Sequence, residues 1–184
     1  MCIRDRANSL NKNVFFGIIS WIIWQNARIR ANCRKDSKIL MLIPRPHEIK
    51  KSGSILKNKA IGKVENAFSP LLFRHYKDMI LADDSSPTIL EIKQDLSVEN
   101  EEEYHLIIQE DRIQIISKTE KAAFYGLVTL KQLQSEQIIE TQEIKDKPDL
   151  EVRGLMLDIS RAKVLNVSSI KKIIDLVAEL KYNH

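Results

Sequence analysis

The side chains able to do chemistry fall into three sets. Adjacent carboxylates occur at Asp83-Asp84 and Glu110-Asp111, and an acidic run extends from Glu99 to Glu103. Paired carboxylates suit general acid–base work when they flank a bond to be broken. Here Asp83-Asp84 opens a break, Asp83-Asp84-Ser85-Ser86-Pro87, and Glu110-Asp111 separates two Ile-rich segments, so it reads as a tight hairpin turn. The run 99–103 reads as a solvated loop. The second set is four His and two Cys, which make neither a Cys-x2-Cys pair of pairs nor His-Glu-x-x-His. The five Gly form no phosphate-cradling loop. No metal and no cofactor is therefore expected, and His105, within a strand, reads as a half-buried sheet residue. The third set is Arg153-Gly154-x-x-x-Asp158-x-Ser160-Arg161, a near-continuous apolar strand ending in polar residues. From position alone, Arg161 reads as one half of a salt bridge at the strand end, with Asp158 as its candidate partner.

The elements that would position these groups follow from periodicity. Ile39 to Ile43, stopped by Pro44 and Pro46, suits an edge strand. Residues 47–63 are polar, with Ser52-Gly53 as a turn and Ser54-Ile55-Leu56 as a short strand. Phe68, Leu71, Leu72, Tyr76, Met79 and Ile80 recur at three and four, predicting a helix over 67–81. Strands are expected at Ile89–Lys93, Tyr104–Gln109 and Arg112–Ser117. Thr119 can cap a helix running to Gln134, in which Gly126 implies that another backbone comes close. Ile138–Thr141 reads as a last strand and Lys145–Asp149 as a linker. Beyond it, the strand at 153–161 has the composition of one buried on both faces. The helix after Asn166 or Ser168 carries Ile170, Ile173, Ile174, Val177 and Leu180 on one face. That is one βα unit without a parallel neighbour. A lone parallel strand cannot satisfy its backbone groups, so the sequence is expected to be truncated.

Charge sets the first segment apart. Residues 1–40 carry eight Lys or Arg against two Asp, a net +6, and the remaining 144 residues carry −2, giving the whole-chain +4. Both Trp and both Cys lie in the first segment, so the body needs no oxidising compartment. The apolar run from Val14 to Trp24 is too short to span a bilayer, which takes about 20 apolar residues. Its basic flanks suit a signal segment, but charge follows where a small-residue cleavage site should be. Met1-Cys2-Ile3-Arg4-Asp5-Arg6 looks like a translated sequencing adapter, with Met41 as the true start. Scattered arginines without interleaved stacking aromatics give no nucleic-acid arm. The expected organisation is a leader over 1–40, an α+β domain over 41–148 and a βα segment over 149–184. A start at Met41 implies a cytoplasmic protein; a signal segment implies a secreted one.

Three stretches together resemble glycoside hydrolase family 20, the β-N-acetylhexosaminidases. Leu42-Ile43-Pro44-x-Pro46 is similar to the start of that family's small N-terminal domain. Phe124-Tyr125-Gly126-Leu127-x-Thr129-Leu130-x-Gln132-Leu133 resembles its helix. Arg153-Gly154-x-x-x-Asp158-x-Ser160-Arg161, followed by a helix ending Leu180-Lys181-Tyr182-Asn183, resembles the opening of its catalytic barrel. The resemblance implies an α+β domain, a mixed sheet with helices packed on it, followed by the truncated start of a (β/α)8 TIM barrel. It implies hydrolysis of terminal N-acetylglucosamine or N-acetylgalactosamine from glycans, with retention, by attack of the substrate's own acetamido oxygen. The family's general acid Glu and its adjacent Asp follow the fourth barrel strand, which this sequence does not reach. No catalytic residue is expected here, and the fragment is expected to be inactive.

Arg161 matches the family's arginine at the end of the first barrel strand, which binds hydroxyls of the terminal sugar. Barrel active sites lie at that end, and the guanidinium fork can hold two vicinal hydroxyls. Arg153 and Asp158 are read as structural. The implied partners are N-acetylhexosamine-terminated glycans, with no nucleic acid and no membrane span; the oligomeric state is not specified. The alternative is a non-catalytic α+β module used for packing or partner binding.

Overall fold

The computed structural model describes residues 42–69, 79–158 and 164–184. They belong to one compact unit, Leu42–His184. The expected helix over 67–81 lies largely outside the described residues, as do Ile39 to Met41.

Six strands form one mixed sheet: β1 (Glu48–Ile55), β2 (Lys63–Asn66), β3 (Ile89–Gln94), β4 (Tyr104–Ile108), β5 (Arg112–Ser117) and β6 (Glu140–Asp146). Their order is β1-β6-β4-β5-β3-β2. The β1, β6, β4 and β5 pairings are antiparallel, and β5, β3 and β2 run parallel. Two helices are described, α1 (Glu120–Gln134) and α2 (Val167–Glu179). This is the α+β class expected.

Strict alternation builds the core. In β4 and β5 every second residue is buried. Leu106, Ile108, Ile113, Ile115 and, from β6, Ile144 thereby point to the face on which α1 lies. From α1, Ala122, Ala123, Leu127, Leu130 and Leu133 are buried against them. Thr119 caps the helix as expected, its side chain accepting from the Ala122 amide at 3.2 Å. The hairpin between β4 and β5 turns through Glu110-Asp111 with Ile108 opposite Ile113. Its geometry uses no positive φ at either residue. Instead, neighbouring segments fix the two carbonyls: the Lys57 amide donates to Glu110 and the Ile89 amide to Asp111.

Several boundaries differ from expectation. Residues 42–47 form no strand. The polar stretch 48–55 is a single edge strand, β1, because Gly53 at φ 85° absorbs an irregularity between Lys51 and Ile55 rather than ending the strand. The strand β2, polar and short, carries little hydrophobic signal. The last strand begins at Glu140 and runs through Asp146, so the expected linker starts later than its composition suggests. Gly126 accommodates side chains rather than a backbone: a Cβ there would sit 2.8 Å from Ile115 Cγ2 and 3.3 Å from a Tyr104 ring carbon.

The segment after Pro148 departs furthest. Residues 152–158 are not assigned as strand, and Leu155 and Met156 are exposed. They do have a neighbour. The His184 amide donates to Arg153 O, and the Leu155 amide donates to His184 O, both at 3.1 Å. Bonds from one residue to the two residues flanking Gly154 are the pattern of parallel pairing. The expected absence of a parallel partner is therefore corrected at this position.

Candidate functional site

Two charged clusters join residues 150–153 and 181–184 to the sheet and α1. In the first, Arg153 donates from Nη1 to Glu102 Oε2 at 3.0 Å and from Nη2 to the Tyr125 hydroxyl at 3.1 Å. Its Nε donates to the Lys181 carbonyl at 2.8 Å. Lys121 Nζ and Asn183 Nδ2 reach Glu102 Oε1 at 3.1 and 3.2 Å. Glu102 lies in the acidic run expected to be a solvated loop, yet it is only 8% exposed. The correction has a physical reason. Four donors surround the carboxylate, the fourth being the Tyr125 hydroxyl at 3.2 Å from Oε1, so its burial is matched by charge and hydrogen bonds.

In the second cluster, Lys181 Nζ lies 2.8 Å from both Asp146 Oδ2 and the Tyr104 hydroxyl. That hydroxyl lies 3.0 Å from Asp146 Oδ2 and 2.7 Å from Thr129 Oγ1. The ammonium also stands 4.7 Å from the Tyr104 ring centre. All four side chains are buried. Alternation along β4 and β6 puts Tyr104 and Asp146 on the inner face, directly opposite each other. Thr129 comes from α1, one turn beyond Tyr125.

Electrostatics decide what these clusters can do. Burial pushes the Glu102 carboxyl up, but Arg153, Lys121 and Asn183 outweigh it and hold the pKa at about 2. Burial pushes the Lys181 ammonium down, opposed by Asp146. Burial and the Asp146 charge raise the Tyr104 hydroxyl well above its ordinary value. The Glu102 carboxylate is thereby held charged at neutral pH, paired with Arg153 and Lys121. A cavity of about 190 Å³ adjoins both clusters, bordered by Arg153, Lys181, Tyr104 and Asp146 with Arg45 and His47. The arrangement is a clamp that joins residues 150–153 and 181–184 to the sheet and α1.

The residues singled out in the sequence are placed as follows. Arg161 lies outside the described residues. Arg153 is the centre of the first cluster, in keeping with a structural role. The Asp83 carboxylate accepts from the Ser85 amide and hydroxyl. Glu110 pairs with Lys57 on the surface. His105 Nε2 is 2.9 Å from Glu103 Oε1 and half-buried. No cluster of metal-ligating side chains occurs among the described residues, and no described helix is long and apolar enough to cross a membrane. Sequence reasoning missed Glu102, Tyr104, Asp146 and Lys181. The alternation of β4, extended to its first residue, could have flagged Tyr104. Lysine directly after a helix end, where glycine is usual, could have flagged Lys181.

Residues 40–147 match the model described as glycosyl hydrolase family 20, domain 2. A beta-hexosaminidase of Porphyromonas gingivalis is 38% identical over 94 residues, covering 45% of this chain and 12% of that protein. Among solved structures, the β-N-acetylhexosaminidase of Bacteroides fragilis is similar in fold, with a TM-score of 0.68 at 23% identity over 79% of this chain. The N-acetyl-β-hexosaminidase of Streptomyces plicatus gives 0.66 at 20% identity over 80%. The chain spans only 32% and 34% of those two chains.

Proposed function

The chain belongs to glycosyl hydrolase family 20, and from that premise we propose that it forms part of a β-N-acetylhexosaminidase. The reaction is removal of terminal N-acetylglucosamine or N-acetylgalactosamine from glycans. The substrate's acetamido oxygen attacks the anomeric carbon, a retaining route that needs no enzyme nucleophile. The acid and the acetamido-orienting carboxylate come from outside this sequence, and residues 1–184 alone are inactive. Arg161 binds hydroxyls of the terminal sugar through its planar fork of donors.

The observation supporting this reading most is continuity. The family-matched domain runs directly into residues 150–158; one charged cluster fastens that segment to the domain through Arg153 and the other fastens the turn after α2 through Lys181. Arg161 follows in the same stretch of sequence. The test uses the whole enzyme and a 4-nitrophenyl N-acetyl-β-glucosaminide or galactosaminide. Hydrolysis should release the β-anomer first. A trifluoroacetamido analogue should react orders of magnitude more slowly, because its carbonyl oxygen is a poorer nucleophile. An unaffected analogue would refute substrate assistance. Arg161→Ala should lower kcat/KM by roughly ten- to a hundredfold for each charged hydrogen bond lost, and Arg161→Lys should not restore it. Near-normal activity in Arg161→Ala would leave the rim salt bridge as the better account.

A further inference from the structure

Lys181 holds the left-handed conformation, φ 60°, alone among described non-glycine residues. It follows α2 at the position where a helix is closed by a Schellman turn. The Lys181 amide donates to Ala178 O at 2.9 Å and the Tyr182 amide to Val177 O at 3.0 Å. Glycine is the usual residue there, since a β-carbon in this conformation crowds the following carbonyl. Lysine also carries a charge that must be buried. Its side chain is nevertheless 7% exposed and reaches across to Asp146 and Tyr104. The turn it closes sends Tyr182–His184 back beside Arg153–Leu155. Arg153 then grips the same corner from the other side, donating to the Lys181 carbonyl, while its own amide donates to Asn183 Oδ1 at 2.9 Å.

We propose that Lys181 and Arg153 are positioning residues through which the α+β domain sets the register of residues 153–155 against residues 183–184. The kinetic consequence of that register rests on the hexosaminidase reading; the register itself does not. Asp146 and Tyr104 fix the corner after α2, Glu102 and Tyr125 fix the start of the segment, and the Gly154–His184 pairing is what the two grips share. Every anchor on the domain side is a side chain of β4, β6, α1 or the loop before β4.

The experiment pairs amide exchange with kinetics. In the 184-residue chain, Lys181→Met and Arg153→Met should each speed exchange of the Leu155 and Asn183 amides at least tenfold, leaving β4, β5 and α1 protected. Lys181→Gly separates the two roles of the lysine. If the residue only closes the helix, glycine should preserve protection; if it is an anchor, protection is lost. Should Lys181→Met unfold because Asp146 is left buried and unpaired, Asp146→Leu in the same chain should restore the fold and not the protection. In the whole enzyme, Lys181→Met should raise KM for the nitrophenyl glycoside about tenfold with a smaller change in kcat. Unchanged exchange in Lys181→Met and Arg153→Met, or full protection in Lys181→Gly, overturns the positioning role. An inactive wild-type enzyme with the expected exchange pattern would instead refute the hexosaminidase reading alone.

Discussion

Replacing Glu102 with Gln tests the clamp through its pH dependence. The Glu102 carboxyl is held at about 2, against an ordinary value of 4.5. Each unit of difference between folded and unfolded states corresponds to about 1.4 kcal/mol, so the ionised form contributes on the order of 3 kcal/mol. The side chain is 10% exposed, and its Arg153 partner 14%, so solvent screens the pair little. The sign follows from a depressed folded value. The contribution is fully present above the unfolded value of 4.5 and is lost as pH falls from there toward 2. Urea unfolding midpoints from pH 7 to pH 2.5 should therefore show the wild type losing stability faster than Glu102→Gln below about pH 5. At pH 7 the variant should be the weaker by roughly 1–3 kcal/mol, because Arg153 keeps a neutral acceptor but loses a charge. Parallel pH curves for the two proteins would refute the assignment, since they would mean that Glu102 titrates normally in the folded state.

Three further outcomes are expected. Gly126→Leu should lose roughly 1–3 kcal/mol or more in chemical denaturation, although leucine favours helix, because even a Cβ there meets Ile115 at 2.8 Å; a neutral variant would contradict the packing. Gly62→Ala should be worse still and lower the melting temperature sharply, since a Cβ would stand 1.9 Å from the Ser86 carbonyl oxygen, a backbone atom unable to move aside cheaply, whereas Gly53 has open space for a Cβ and Gly53→Asn, a residue that tolerates positive φ, should be mild. Chains beginning at Met1 and at Met41 should melt together, as the composition break and the family match from residue 40 both suggest; a large loss in the shorter chain would show that residues 1–40 contribute to the fold.

The central strands were readable because their signal is local. Alternation in Tyr104–Ile108 and Arg112–Ser117, three residues apart, specifies both the hairpin and its inner face. The Thr119 cap and the α1 stripe are equally local. The edge strands were not readable for the opposite reason. All of β1 is exposed, so no hydrophobic pattern marks it, and it is a strand because β6 offers it a ladder of hydrogen bonds. Asp146 read as linker because charge beside proline usually means solvent. It is buried because Lys181, distant in sequence, supplies the matching charge. Glu102 was hidden among Glu99, Glu101 and Glu103 in the same way. Nothing in an acidic run says which carboxylate turns inward, and only the arrival of Arg153 decides it.

The α2 helix separates what periodicity specifies from what it leaves open. Ile170, Ile173, Ile174, Val177 and Leu180 form the apolar face read from the sequence, and α2 has the expected Asn166 cap, accepting from the Ser169 amide at 2.8 Å. Yet no α2 residue is buried, and Ile174 is 56% exposed. The contacts that fasten this segment to the domain are polar and sit at its ends, at Arg153, Lys181 and Asn183, with one further surface pair between Lys131 and Glu179. An amphipathic stripe thus identifies residues suited to burial without naming what covers them, and here the described domain does not. The charged ends act differently. A buried ion pair gains little net stability over apolar packing, but it penalises every arrangement that leaves one partner alone. Two such pairs, acting on both sides of one corner, favour a single register for residues 153–155 against 183–184, which the weakly directional apolar face could not select alone.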